Sequence, residues 1–128
     1  MKLLVAYDAA FAENMLAQAV QTAKAFDARI YLVRTCPADA GEQGIARLEY
    51  QLNEVRREVF KPEGIQSEAH VLIRGMEPGE DVVRFAQEKG VDQIIIGVQK
   101  RSRVGKLMFG STAQYIILEA HCPVLSVK

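Results

Sequence analysis

The sequence predicts an α/β fold, an open five-stranded parallel sheet in the order 3-2-1-4-5 with helices on both faces. Three observations point to it. Five short apolar runs alternate strictly with stretches whose apolar residues recur every three or four positions. The first, second and fourth runs are almost continuously apolar, as in strands covered on both sides. Glycine, proline or aspartate punctuates nearly every junction, and strand–helix alternation with right-handed crossovers gives a parallel sheet.

The first strand is Lys2 to Tyr7, with Leu3, Leu4 and Val5 in succession, and it stops at Asp8. Met15, Leu16, Ala19, Val20, Ala23 and Phe26 then form the stripe of a helix lying on a sheet. Arg29 to Thr35, centred on Ile30-Tyr31-Leu32-Val33, is the second strand. Pro37, Gly41 and Gly44 mark a loop, after which Ile45, Leu48, Leu52, Val55 and Val59 share one face of a charged helix ended by Lys61-Pro62-Glu63-Gly64. Glu68 to Ile73 is the third strand, and Arg74 to Gly79 supplies a turn. Val82, Val83, Phe85 and Ala86 mark a third helix, closed by Lys89 and a left-handed cap at Gly90. Asp92 to Ile96 is the fourth and most apolar strand. A fourth helix carries Ala113, Ile116, Ile117 and Ala120, and Val124 to Val127 is the last strand.

At 128 residues the chain is expected to form one domain, residues 1–128, with a core that requires no staples. Sixteen basic and sixteen acidic side chains cancel, so the overall balance draws the protein neither to nucleic acid nor to an anionic membrane. Cys36 and Cys122 lack the spacing of a zinc or redox pair and are expected as small buried hydrophobes. The start reads as no signal peptide, and no apolar run approaches the roughly 20 residues of a membrane span. The expectation is a soluble cytoplasmic protein.

The candidate site is built around the fourth strand end and the segment after it. Gly97 follows Ile96, a basic loop carries Lys100, Arg101, Arg103 and Lys106, and Gly110-Ser111-Thr112 opens a helix. First-turn amides without internal partners, the positive end of a helix dipole, hydroxyls and cations together suit a phosphate. Ser111 with Gln114 also reads as a capping box that would stabilise the helix alone. In a 3-2-1-4-5 sheet the strand order reverses between strands one and four, where such folds bind ligands. That crevice brings Ala6, Tyr7 and Asp8 opposite Ile96 and Gly97.

A dinucleotide fingerprint is absent, because Asp8-Ala9-Ala10-Phe11-Ala12-Glu13 contains no glycine, and Val104-Gly105-Lys106-Leu107 lacks both the first glycine and the hydroxyl of a P-loop. His70 has no nucleophile near it in sequence. His121 sits at a helix end, where imidazole is expected to meet the terminal carbonyls.

Over its full length the chain resembles the universal stress protein family. The family signature is Gly, two residues, Gly, nine residues, then Gly with Ser, Thr or Asn. Gly97, Val98-Gln99, Lys100, nine residues and Gly110-Ser111 match it except that Lys100 replaces the second glycine. The resemblance implies a Rossmann-like, adenine nucleotide alpha hydrolase-like fold and a nucleotide site. Ala6, Asp8 and Thr35 would border adenine and ribose, with Tyr7 beside them and Ile96 and Gly97 closing the base side. Gly110, Ser111 and Thr112 would hold the phosphates, and Lys100, Arg101 and Arg103 would neutralise them from outside. The implied ligand is ATP or a related adenine nucleotide. Asp8 is a candidate to meet Mg2+ through that nucleotide. The implied assembly is a homodimer through the edge strand Val124 to Val127. No water-activating base is evident in the sequence beside the phosphates, so the expected role is regulatory, acting on loop order or a protein partner, with at most slow ATP hydrolysis. The alternative is an interaction protein with an empty crevice, whose basic loop serves a partner's acidic surface.

Overall fold

The computed structural model describes residues 1–99, 101–103, 106–108 and 110–128. Seven strands and four α-helices are described: β1 (Lys2–Ala6), α1 (Ala12–Phe26), β2 (Arg29–Thr35), α2 (Gly41–Val55), β3 (Ser67–Leu72), α3 (Pro78–Lys89), β4 (Gln93–Gly97), β5 (Arg101–Arg103), β6 (Lys106–Met108), α4 (Ser111–Glu119) and β7 (Val124–Val127). Five strands form one sheet in the order β3-β2-β1-β4-β7, and every pairing within it is parallel. This is the 3-2-1-4-5 order expected, with one addition. β5 and β6 pair antiparallel as a separate hairpin inside the segment read as a basic loop.

Strand alternation divides the core in two. Leu4, Tyr31, Val33, Ile94 and Ile96 face α3 and α4, meeting Val82, Phe85, Ala86 and Ile116. Leu3, Val5, Ile30, Leu32 and Ile95 face α1 and α2, meeting Met15, Ala19, Ala23, Leu52 and Phe60. The central strands are buried on both faces, which is why their sequences are unbroken apolar runs.

Local chemistry sets the helix ends. Gly90 takes a left-handed conformation (φ 63°) after Lys89, and its N–H donates to the carbonyls of Ala86 and Gln87. Pro78 occupies the first turn of α3, where its missing donor is harmless. The ends of β1, β3 and β4 shift by one residue from expectation, and both ends of α2 differ from it. α2 begins at Gly41 rather than after Gly44, because first-turn amides need no internal partner and the apolar stripe downstream carries the helix. Past Val55 the helix widens into a π-turn, Arg56–Phe60, and a 3-10 turn, Lys61–Glu63. Pro62, which has no N–H, lies just beyond the widening.

Candidate functional site

The C-terminal ends of β1, β2 and β4 and the first turns of α3 and α4 enclose a cleft of about 500 Å3. Its floor is apolar, made by Ala6, Val33 and Ile96 with Val82 and Ile116 from the helices. Polar groups stand on the rim: Asp8 just past β1, Arg34 and Thr35 from β2, Gln99 after β4 and Thr112 from α4, with Arg34 already bonded to Gln51. An apolar floor beneath convergent polar groups is a usual form of a small-molecule site.

Asp8 leaves β1 with extended backbone and begins a 3-10 turn over Ala9–Phe11. Its Oδ1 accepts the N–H of Ala10 at 2.9 Å, and its carbonyl accepts the N–H of Phe11 at 3.0 Å. Among the described residues Oδ2 takes no hydrogen bond, so the exposed carboxylate can still accept from a ligand.

At the opposite rim, α4 has Gly110 as its N-cap, with no side-chain cap. The capping box expected from Ser111 and Gln114 does not form. Ser111 is already the first helical residue, so Gln114 lies one position too far along; its N–H instead donates to the carbonyl of Gly110 at 3.0 Å. Among the described residues the first-turn amides of α4 are therefore left with the dipole and no side-chain acceptor, an arrangement suited to an anion. Gly79 brings α3 against this turn. A β-carbon there would lie 3.0 Å from Tyr115 Cβ and 3.2 Å from the carbonyl oxygen of Thr112.

Behind the cleft, Arg74 ties the β3–α3 connection to α3. Its Nε donates to Oδ1 of the buried Asp81 at 2.6 Å, a terminal nitrogen donates to the Asp81 carbonyl at 3.2 Å, and the other meets Glu88 Oε1 at 2.5 Å. Burial works against the guanidinium charge, but the bonds to Glu88 and Asp81 outweigh it and hold the Arg74 pKa above its ordinary value.

Of the residues singled out in sequence, Ala6, Tyr7, Asp8, Thr35, Ile96, Gly97, Gly110 and Thr112 all line this cleft. Ser111 is exposed at the start of α4 between the last two. Arg101 and Arg103 lie on β5, and Lys100 lies outside the described residues. Sequence reasoning missed Phe11, Val33, Arg34, Pro78, Val82, Gln99, Ala113 and Ile116 as lining. Val33 pairs with Ala6 in the parallel register, a contact that strand alternation could have flagged once the order was assumed.

The histidines and cysteines serve elsewhere. His70 pairs with Glu68 at 3.1 Å and stacks near Phe85, with centroids 4.9 Å apart. His121 does not meet the carbonyls of its own helix as expected; its Nε2 bonds the carbonyl of Val91 at 3.0 Å, because α4 ends extended at Ala120 and turns the ring toward the end of α3. Cys36 is buried, whereas Cys122 is only partly so, a departure from the expected buried hydrophobe. Burial, with Asp92 nearby, still pushes the Cys122 thiol pKa up.

A second hollow of about 570 Å3 lies at the other end of β2 and β3, lined by Arg29, Arg56, Arg57 and Lys61. Its arginines are already engaged: Arg29 with Glu68, Arg57 with Glu54, and Arg56 with the hydroxyl and carbonyl of Ser67. The cleft at the strand C-termini instead opens a carboxylate and the first turn of α4.

Among the described residues no helix is long and apolar enough to cross a membrane, and no group of three or more His, Cys, Asp or Glu could hold a metal. Comparison with known proteins agrees with the fold. A universal stress protein of Thermus aquaticus is 31% identical over 134 residues, covering 98% of this chain and 97% of the relative. The structure of a universal stress protein from Archaeoglobus fulgidus superposes with a TM-score of 0.87 at 33% identity, over 100% of this chain and 93% of that one. Another, described as the universal stress protein from Archaeoglobus fulgidus in complex with dAMP, gives 0.82 at 31% identity, over 100% and 98%. The model of the universal stress protein family matches residues 1–128, and the chain belongs to that family.

Proposed function

We propose that the chain binds an adenine nucleotide in the cleft between β1 and β4 and acts as a regulatory module. The observation that carries this is one cleft with the Asp8 carboxylate on one rim and the first turn of α4, free of any side-chain cap, on the other. Purine amino groups suit a carboxylate acceptor, apolar Ala6, Val33 and Ile96 suit a base, and helix amides suit phosphate. The relative in complex with dAMP, 31% identical over the whole chain, supports the same ligand class.

ATP is the proposed ligand, with its phosphates toward Gly110, Ser111 and Thr112. Lys100, Arg101 and Arg103 belong to the segment that would neutralise them. Asp8 is the carboxylate among the lining residues, so any Mg2+ would arrive with the phosphates rather than on a protein cage. Binding would act by shifting loop order or partner affinity, with slow or no hydrolysis.

The proposed assembly is a homodimer in the cytoplasm. β7 closes one side of the sheet, and Tyr115, Ile117 and Leu118 are exposed on the helix that precedes it. A short apolar edge beside exposed apolar side chains gains by pairing with a second copy. Calorimetric titration of the protein with Mg·ATP tests the nucleotide reading. Heat of binding that falls in Asp8→Ala supports it, and no heat with the unmodified protein removes it.

A further inference from the structure

Gly97 ends β4 with one face free of a side chain, and that face is filled by another residue. A β-carbon built on it would lie 2.5 Å from Cγ and 2.8 Å from Cε2 of Phe11, with Cδ2 closer still. Carbon pairs normally rest near 3.5–4.0 Å, so the ring occupies the space that a side chain at position 97 would need. Phe11 is also the last residue of the 3-10 turn that begins at Asp8. None of Ala9, Ala10 and Phe11 is fully buried, and the turn closes through local bonds: two to Asp8 and one from the Ala12 N–H to the Ala9 carbonyl. Such local bonds do not by themselves outweigh the entropy of ordering three residues. Phe11 is the tertiary anchor of the turn, packing against the core cluster beneath α1 as well as onto Gly97.

We propose that Phe11 is a positioning residue for the nucleotide site: its ring, keyed onto the bare face of Gly97, fixes the turn that presents Asp8 to the cleft. This rests on the nucleotide reading of the cleft. It gives the glycine of the signature a second task, since Gly97 makes room for a neighbour in the chain as well as for a ligand. It also joins the carboxylate rim to β4, the strand that leads into the basic segment, so the two ends of the site share one mechanical contact.

Two measurements on the full chain test it. In calorimetry with ATP, Phe11→Ala is expected to weaken binding about tenfold in the unmodified background but less than about twofold beside Asp8→Ala, because Phe11, although it lines the cleft, acts through Asp8. Val20→Ala, on α1 away from the cleft, is expected to change affinity less than about twofold. An equal loss in Val20→Ala, or undiminished binding in Phe11→Ala, overturns the positioning role. In thermal melts, Gly97→Ala is expected to lower Tm, and Gly97→Ala combined with Phe11→Ala to melt above Gly97→Ala alone, because the added methyl enters the vacated space. A double variant that melts below both singles overturns the contact. The outcomes also separate the two claims. No ATP binding by the unmodified protein defeats the nucleotide reading, whereas intact binding with no compensation in the melts defeats the role of Phe11 alone.

Discussion

Replacing Arg74 with methionine would strand a carboxylate that has almost no access to water. Asp81 is 2% exposed, and Arg74 supplies its charged partner at 2.6 Å together with a bond to its carbonyl. The Glu88 end of the bridge is half in solvent and contributes about 0.5 kcal/mol or less. Arg74 is itself about one-third exposed, which moderates the cost of losing it, so the unpaired Asp81 accounts for about 2–3 kcal/mol. The sum, about 3 kcal/mol, corresponds to a fall in Tm of about 11 °C for a chain of this length. Urea or thermal unfolding of Arg74→Met measures it directly. The variant Arg74→Met with Asp81→Leu removes both polar partners and is expected to recover most of the loss. A single variant within about 0.5 kcal/mol of the unmodified protein refutes the reasoning, because Asp81 would then have found water or another donor.

Other outcomes follow from the same contacts. Gly79→Val is expected to push α4 away from α3, since even a β-carbon meets the Thr112 carbonyl at 3.2 Å, and to weaken ATP binding more than about fivefold by titration. Leu118→Lys, at a side chain 74% exposed, is expected to shift the protein from dimer to monomer in analytical ultracentrifugation while leaving the monomer folded. The Cys122 thiol has a folded-state pKa above its unfolded value, so it favours the folded state fully at pH below the unfolded pKa and loses that contribution as pH rises through the folded one. Alkylation of Cys122 at pH 8.5 is accordingly expected to be slower in the native protein than in urea.

Much of this arrangement can be read from the residues. Leu3-Leu4-Val5 and Ile94-Ile95-Ile96 are buried on both faces, so their composition alone reports central parallel strands. The same order then places Asp8 and Gly97 at one crevice. The hairpin of β5 and β6 escapes notice because three-residue strands are too short to carry a periodicity. The cap of α4 is misread because Ser, Gly and Gln can each stand at several positions of a first turn, and only backbone geometry decides which. Arg74 with Asp81, and Phe11 with Gly97, join residues 7 and 86 positions apart, and no pattern within either segment announces its partner. Gly97 shows the difficulty most plainly. Its lack of a side chain is explained as well by an aromatic neighbour as by a ligand, and only the folded chain brings that neighbour into view.

A crystal structure of the protein grown with ATP is the measurement that bears on the cleft most directly. The account predicts a purine beside Asp8 on the floor of Ala6, Val33 and Ile96, with phosphate oxygens against the amides of Ser111 and Thr112. Nucleotide bound in the arginine-lined hollow at the far end of β2 and β3, with the cleft unfilled at saturating ATP, would contradict it.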